Sequence, residues 1–104
     1  MAFYVVGFEH PDAQGWQAQL GAHLSWLRLR VADGSVRASG PCVGAADRAA
    51  KLIMVAPDRP ALDRIVATDP FAVHGLIANM TVEEWDPIFG AWAAESTMPT
   101  IGAG

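Results

Sequence analysis

The sequence predicts an α+β domain of β-α-β-β-α-β order, one antiparallel sheet with two helices on one face. Three observations predict it. Phe3 to Phe8 and Ala50 to Ala56 are rich in β-forming residues and apolar on both alternating faces. Trp16 to Ala32 and Pro60 to Thr68 repeat apolar residues at helical spacing. Ser35 to Ser39 and His74 to Val82 alternate, as half-buried strands do. In that order the elements form the ferredoxin-like pattern.

Each element has a local reason. Glu9-His10-Pro11-Asp12 ends the first strand, and Pro11 and Asp12 suit a turn into a helix. In the first helix Trp16, Leu20, Leu24, Leu27 and Val31 form the expected core stripe, with His23 on its edge. Asp33-Gly34 stops the helix, and Arg28 and Arg30 suit its C-terminal dipole. Val36 and Ala38 are expected to face inward, and Gly40-Pro41 to turn the chain. Gly44 to Ala49 is a loop. Pro57 stops the third strand, and Leu62, Ile65 and Val66 share one face of the second helix. Asp69-Pro70 restarts the chain, with a short helical turn expected at Phe71 to Val73. In the last strand Leu76, Ala78, Met80 and Val82 share a face. Residues 83–104 are expected as an extension carrying Trp85, Phe89 and Trp92, with a small-residue tail that frays.

The 104 residues suit one domain, 1–104, without repeat or linker. The chain is 52% hydrophobic and 17% charged, more apolar surface than one small monomer easily hides. Helices cover one sheet face, yet strands one and three are apolar on both. The simplest cover for the second face is the same sheet of another copy, giving a homodimer. The alternative is that the C-terminal segment folds back over it.

Net charge is −4, and no Lys or Arg precedes Arg28. Nucleic-acid and membrane-surface binding both need a basic patch, which is not offered. No apolar run approaches the roughly 20 residues of a membrane span. The N-terminus lacks a cationic start and cleavage pattern, and Cys42 is the only cysteine. A cytoplasmic location is the default expectation.

The reactive inventory is three histidines, eleven carboxylates and one thiol. His23, on the core-facing edge of a helix, needs a hydrogen-bond partner. By topology Asp69 is the best candidate. A carboxylate on one ring nitrogen fixes the tautomer and makes the other nitrogen a general base or acid. The competing readings are a satisfied core histidine and an Asp that caps a helix before Pro70. His10 and His74 lie at strand ends, where each is either a cleft group or a surface turn residue. No pair has the spacing of a helical metal site, and no nucleotide fingerprint occurs. Cys42 reads as a small buried thiol. Gly40 and Pro41 serve backbone geometry or let a ligand approach the main chain. Ser25, Ser35 and Ser39 lack the elbow of a hydrolase nucleophile.

At these residues the sequence resembles the YciI-like (YCII-related) family. The apolar first strand, AHLSWL with His23, ASGP at Ala38–Pro41 and TDPF at Thr68–Phe71 match in order, over about residues 2–82. The resemblance implies a dimeric α+β barrel and a His–Asp pair in a cleft, His23 and Asp69. Relatives include an enzyme that removes chloride from a chlorinated hydroxyhydroquinone. Family members often carry Arg shortly before the helical His, where this chain has Gly21 and Ala22. The Trp85-to-Trp92 extension is also unlike the short final strand of many relatives, and is expected to line or cap the cleft.

The leading expectation is a lyase- or isomerase-type enzyme without a cofactor. His23 and Asp69 are its catalytic pair, and His10, Ser39, Gly40, Pro41, Phe71 and Trp85 are candidate substrate-binding residues. The alternative is a non-catalytic ligand-binding or regulatory homodimer. A cofactor-free oxygenase of the same barrel type ranks third, on fold analogy alone.

Overall fold

The computed structural model describes residues 1–97, so the tail expected to fray lies, from residue 98 on, outside the described residues. Its order is β1 (Ala2–His10), α1 (Ala13–Asp33), β2 (Val36–Pro41), β3 (Arg48–Ala56), α2 (Arg59–Val66), α3 (Pro70–Val73) and β4 (Ala78–Trp85). The four strands form one antiparallel sheet in the order β2-β3-β1-β4, the ferredoxin-like arrangement. No helix among the described residues is long and apolar enough to cross a membrane.

Side chains alternate across the sheet. Tyr4, Val6 and Phe8 of β1 point to the helix side, where Leu52, Met54, Leu62 and Val66 complete the core. Burying each large apolar side chain stabilises the fold by about 1.5–3 kcal/mol. Asp12 caps α1 by accepting from the Gly15 N–H, and Gly34, at φ 86°, ends it in the left-handed conformation.

The α1 stripe is not the one expected. His23 and Trp26 are its buried residues, whereas Leu24 is 38% and Val31 57% exposed. Polar anchors decide this orientation. The Trp26 indole N–H donates to Thr68 Oγ1 at 2.8 Å, and His23 reaches Asp69. Of the expected stripe, Leu27 packs against the core as well as the cleft, whereas Trp16, Leu20 and Leu24 border the open cleft.

Other expectations also change. Gly40 and Pro41 do not turn the chain. They lie in β2 opposite Lys51 and Ala50, and an edge strand tolerates the missing proline N–H. The turn comes after Cys42, with Gly44 at φ 81°. A bulge between Val36 and Ala38 puts Ala38 opposite Ile53, so only Val36 enters the core. The last strand starts at Ala78, not His74, and runs on to Trp85 because Glu83, Glu84 and Trp85 pair with Val5, Tyr4 and Phe3. His74 caps the end of α3 and is exposed.

The second sheet face is partly covered by the chain itself. Trp85 and Trp92 pack on Phe3, at 6.5 and 5.8 Å between centroids, and the Arg37 guanidinium lies 5.4 Å from the same ring. Arg37 makes two hydrogen bonds to Glu95, at 2.6 and 2.7 Å. Asp86 accepts from the Thr97 N–H and hydroxyl, folding the segment back. Phe89 takes no part and is 65% exposed. Towards the middle of this face Val5 and Ile53 remain half-buried.

Candidate active site

The site is built where α1, α3 and the end of β1 meet. Asp69 is the N-cap of α3, and Pro70 occupies the first helical position. Its Oδ1 accepts from the Phe71 N–H at 3.0 Å and from His23 Nδ1 at 2.8 Å. The capping and the pairing readings of Asp69 are therefore both realised by one oxygen. The carboxylate is wholly buried and His23 is 8% exposed. A carboxylate only accepts, so a ring proton sits on Nδ1, and in the neutral ring Nε2 carries the lone pair. Nε2 has no protein partner among the described residues and is not sealed from solvent.

Aromatic rings hold the imidazole in place. Phe71 stacks on it at 4.1 Å and 19°, and Trp26 lies on it at 6.0 Å and 23°. Phe71 also packs against His10, whose ring centroid is 4.6 Å away at 52°. His10 is 4% exposed, and its Nδ1 donates to the Leu76 carbonyl at 3.0 Å. That bond fixes the same neutral tautomer as in His23, leaving a second Nε2 without a protein partner among the described residues.

Both histidines line a cleft of about 710 Å³ on the helix side of the sheet. The volume suits a small organic molecule. Phe8, Leu20, Leu24, Leu27 and Leu52 make its walls apolar, and Ser39, Gly40 and Pro41 of β2 form one side. The structure therefore gathers His23, His10, Phe71, Ser39, Gly40 and Pro41 around one space, with Asp69 behind His23. Trp85 is the exception. It shares the opposite sheet face with Phe3 and does not border the cleft, because strand alternation sends it away from the helices. Cys42 lines the cleft and is only half-buried, since the hairpin loop leaves the sheet there. Among the described residues no cluster of three or more His, Cys, Asp or Glu has metal-binding geometry.

Two cleft residues escaped the sequence reading of the site. Arg48 places its guanidinium 3.9 Å from the centroid of the Trp16 ring. Arg48 pairs with His10 across β1 and β3, a register that nothing local to either residue announces.

The chain matches the YCII-related domain over residues 1–86. It belongs to that family. The YCII-related match ends one residue after β4, so the segment that folds back over Phe3 lies outside it. Among solved structures, the chain is similar to 5-chloro-2-hydroxyhydroquinone dehydrochlorinase from Burkholderia phenoliruptrix AC1100, in complex with 2,5-dihydroxybenzoquinone. Identity is 29%, 82% of this chain and 93% of the enzyme are covered, and the TM-score is 0.68. An antibiotic biosynthesis monooxygenase is similar in fold, with 21% identity, 81% and 96% coverage and a TM-score of 0.53. So is Rv0793 from Mycobacterium tuberculosis, with 14% identity, 88% and 99% coverage and a TM-score of 0.54. No curated protein matches the chain. The fold of this YCII-related chain is that of the dimeric α+β barrels.

Proposed function

We propose that this chain is a lyase- or isomerase-type enzyme that moves a proton on a small, ring- or carbonyl-bearing molecule. One observation carries the reading: an imidazole fixed on a buried carboxylate at 2.8 Å, with its second nitrogen left open. His23 Nε2 takes a proton from a hydroxyl or an acidic C–H of the bound molecule. The electron pair left behind moves into the conjugated system. It then either expels an anionic leaving group or collects a proton at another atom. Asp69 holds the ring in its tautomer and stabilises the imidazolium formed. In the isomerisation the His23 imidazolium delivers that proton to the second atom, and in the elimination it loses it to solvent; His10, also packed on Phe71, presents a second acceptor nitrogen to the same cleft. This chemistry requires no redox cofactor. The dehydrochlorinase similarity supports an elimination on a hydroxylated ring. The half-buried Val5 and Ile53 support a homodimer that packs the second sheet face against its own copy. The unpaired thiol of Cys42 suits the reducing cytoplasm.

The test follows chloride release from 5-chloro-2-hydroxyhydroquinone and deuterium uptake from D2O into 2,5-dihydroxybenzoquinone by NMR. Wild type is expected to accelerate at least one of them. His23→Gln and Asp69→Asn are expected to lose about 10²-fold or more. Unchanged rates in His23→Gln would remove the catalytic role. Retained binding without turnover in any form would favour a ligand-binding dimer in which the pair is structural.

A further inference from the structure

The cleft carries a charge asymmetry that the proton-transfer reading does not use. Its titratable lining groups are His10, His23, Cys42, Asp47 and Arg48. Arg48 begins β3 directly opposite His10, on the helix side of the sheet. Its guanidinium carbon lies over the Trp16 ring, 3.9 Å from the centroid, so the cation is held against an α1 residue that also lines the cleft. None of its N–H donors has an acceptor among the described residues, and no carboxylate forms an ion pair with it, its neighbour Asp47 included. The other arginines with side-chain partners, Arg30, Arg37 and Arg59, all engage carboxylates. Arg48 is thus an exposed, planar, permanent cation with no protein acceptor among the described residues, on the lining of a cleft whose walls are largely leucine and phenylalanine.

We propose that Arg48 and Trp16 form an anion subsite, and that the cleft takes planar aromatic molecules bearing a carboxylate or phenolate. The guanidinium edge pairs with both oxygens of a carboxylate or with the single oxygen of a phenolate, and the rest of the ring lies along the leucines towards His23. The proposal rests on the cleft being a small-molecule site, as in the proposed function, but not on His23 being a base.

The experiment compares 4-hydroxybenzoate with its uncharged amide, 4-hydroxybenzamide. Their binding is read from the Trp16 indole N–H resonance in wild type, Arg48→Gln, Arg48→Lys and His23→Gln. Wild type is expected to bind the acid about tenfold or more tighter than the amide, as a charge-assisted pair requires. Arg48→Gln is expected to abolish that preference while still binding the amide, and Arg48→Lys to retain part of it. Equal affinities in wild type, a preference that survives Arg48→Gln, or binding that leaves Trp16 unmoved overturns the proposal. Binding is read without turnover, so a catalytically silent His23 leaves the outcome intact, and loss of the anion preference leaves the His23 role untouched.

Discussion

The ring of Phe71 lies flat against the imidazole of His23, with centroids 4.1 Å apart, while its backbone N–H shares the carboxylate oxygen that the imidazole holds. One residue thus fixes the His23 ring from its face and the Asp69 carboxylate from the main chain. Phe71 is 1% exposed and also touches His10.

Phe71→Ala is expected to cost about 3–5 kcal/mol, the range for deleting a buried phenyl ring. Phe71→Leu should cost less, because more of the volume stays filled. Urea unfolding gives the energies. In both variants the ring signals of His10 and His23 should move, since both lose an aromatic neighbour. Unmoved signals would mean that Phe71 does not position them.

The tautomers are directly testable. In the neutral rings, 15N NMR should show a proton on Nδ1 of both His10 and His23. Asp69→Ala leaves the Nδ1 and Phe71 N–H donors without their acceptor. It should cost roughly 1–3 kcal/mol and let the His23 proton redistribute to Nε2. His10 should keep its tautomer, because the Leu76 carbonyl is not altered.

Two glycines of α1 separate helix propensity from packing. Alanine at an exposed helix position gains roughly 0.8–1 kcal/mol over glycine. Gly21 has open space around it, so Gly21→Ala should raise stability by about that amount. At Gly15 a Cβ would run into the Leu76 side chain and lie 2.7 Å from an oxygen of the capping Asp12. Gly15→Ala should therefore destabilise despite its propensity. It should also disturb His10 through Leu76. Thermal unfolding of both variants decides the comparison.

The C-terminal fold-back should loosen in acid. Its hydrogen bonds from Arg37 hold the Glu95 carboxyl below the ordinary value of 4.5. Bonds from Thr97 and Ser96 hold Asp86 below 3.8. Both shifts are downward in the folded chain. Their stabilisation is complete above these ordinary values and is lost as pH falls through the lower, folded ones. Fluorescence of Trp92 and Trp85 should change below about pH 4.5. Glu95→Gln should weaken that response.

A homodimer across the second sheet face predicts that Ile53→Glu gives monomers. Sedimentation velocity reads the change. A monomeric wild type at micromolar concentration would count against the assembly.

Much of the fold was legible because apolar periodicity is local. Phe3 to Phe8 and Ala50 to Ala56 announced strands buried on both faces, and DPF announced a capped turn. Details that depend on register were not legible. The bulge before Ala38, the continuation of Gly40 and Pro41 into β2, and the placement of Trp85 all follow from which residue stands opposite which. The His23–Asp69 pairing was nameable from topology together with the family resemblance. Arg48 was not, because its significance arises from His10 across the sheet and Trp16 across the cleft. The α1 stripe misled for a related reason. Its leucines border a cleft, and a cleft wall has the same apolar spacing as a core.

The central strand is also the first one made. β1 pairs with β3 on one side and β4 on the other, so the segment at the start of the chain gains its final partner only when residue 85 has been synthesised. Until then the edge that β4 will cover has no native partner, although β3 can already pair with the other. Contacts this distant in sequence slow folding and leave the nascent chain open to aggregation. The charges of Glu83 and Glu84, on the last strand to arrive, stay exposed once the sheet closes and keep its edge in water.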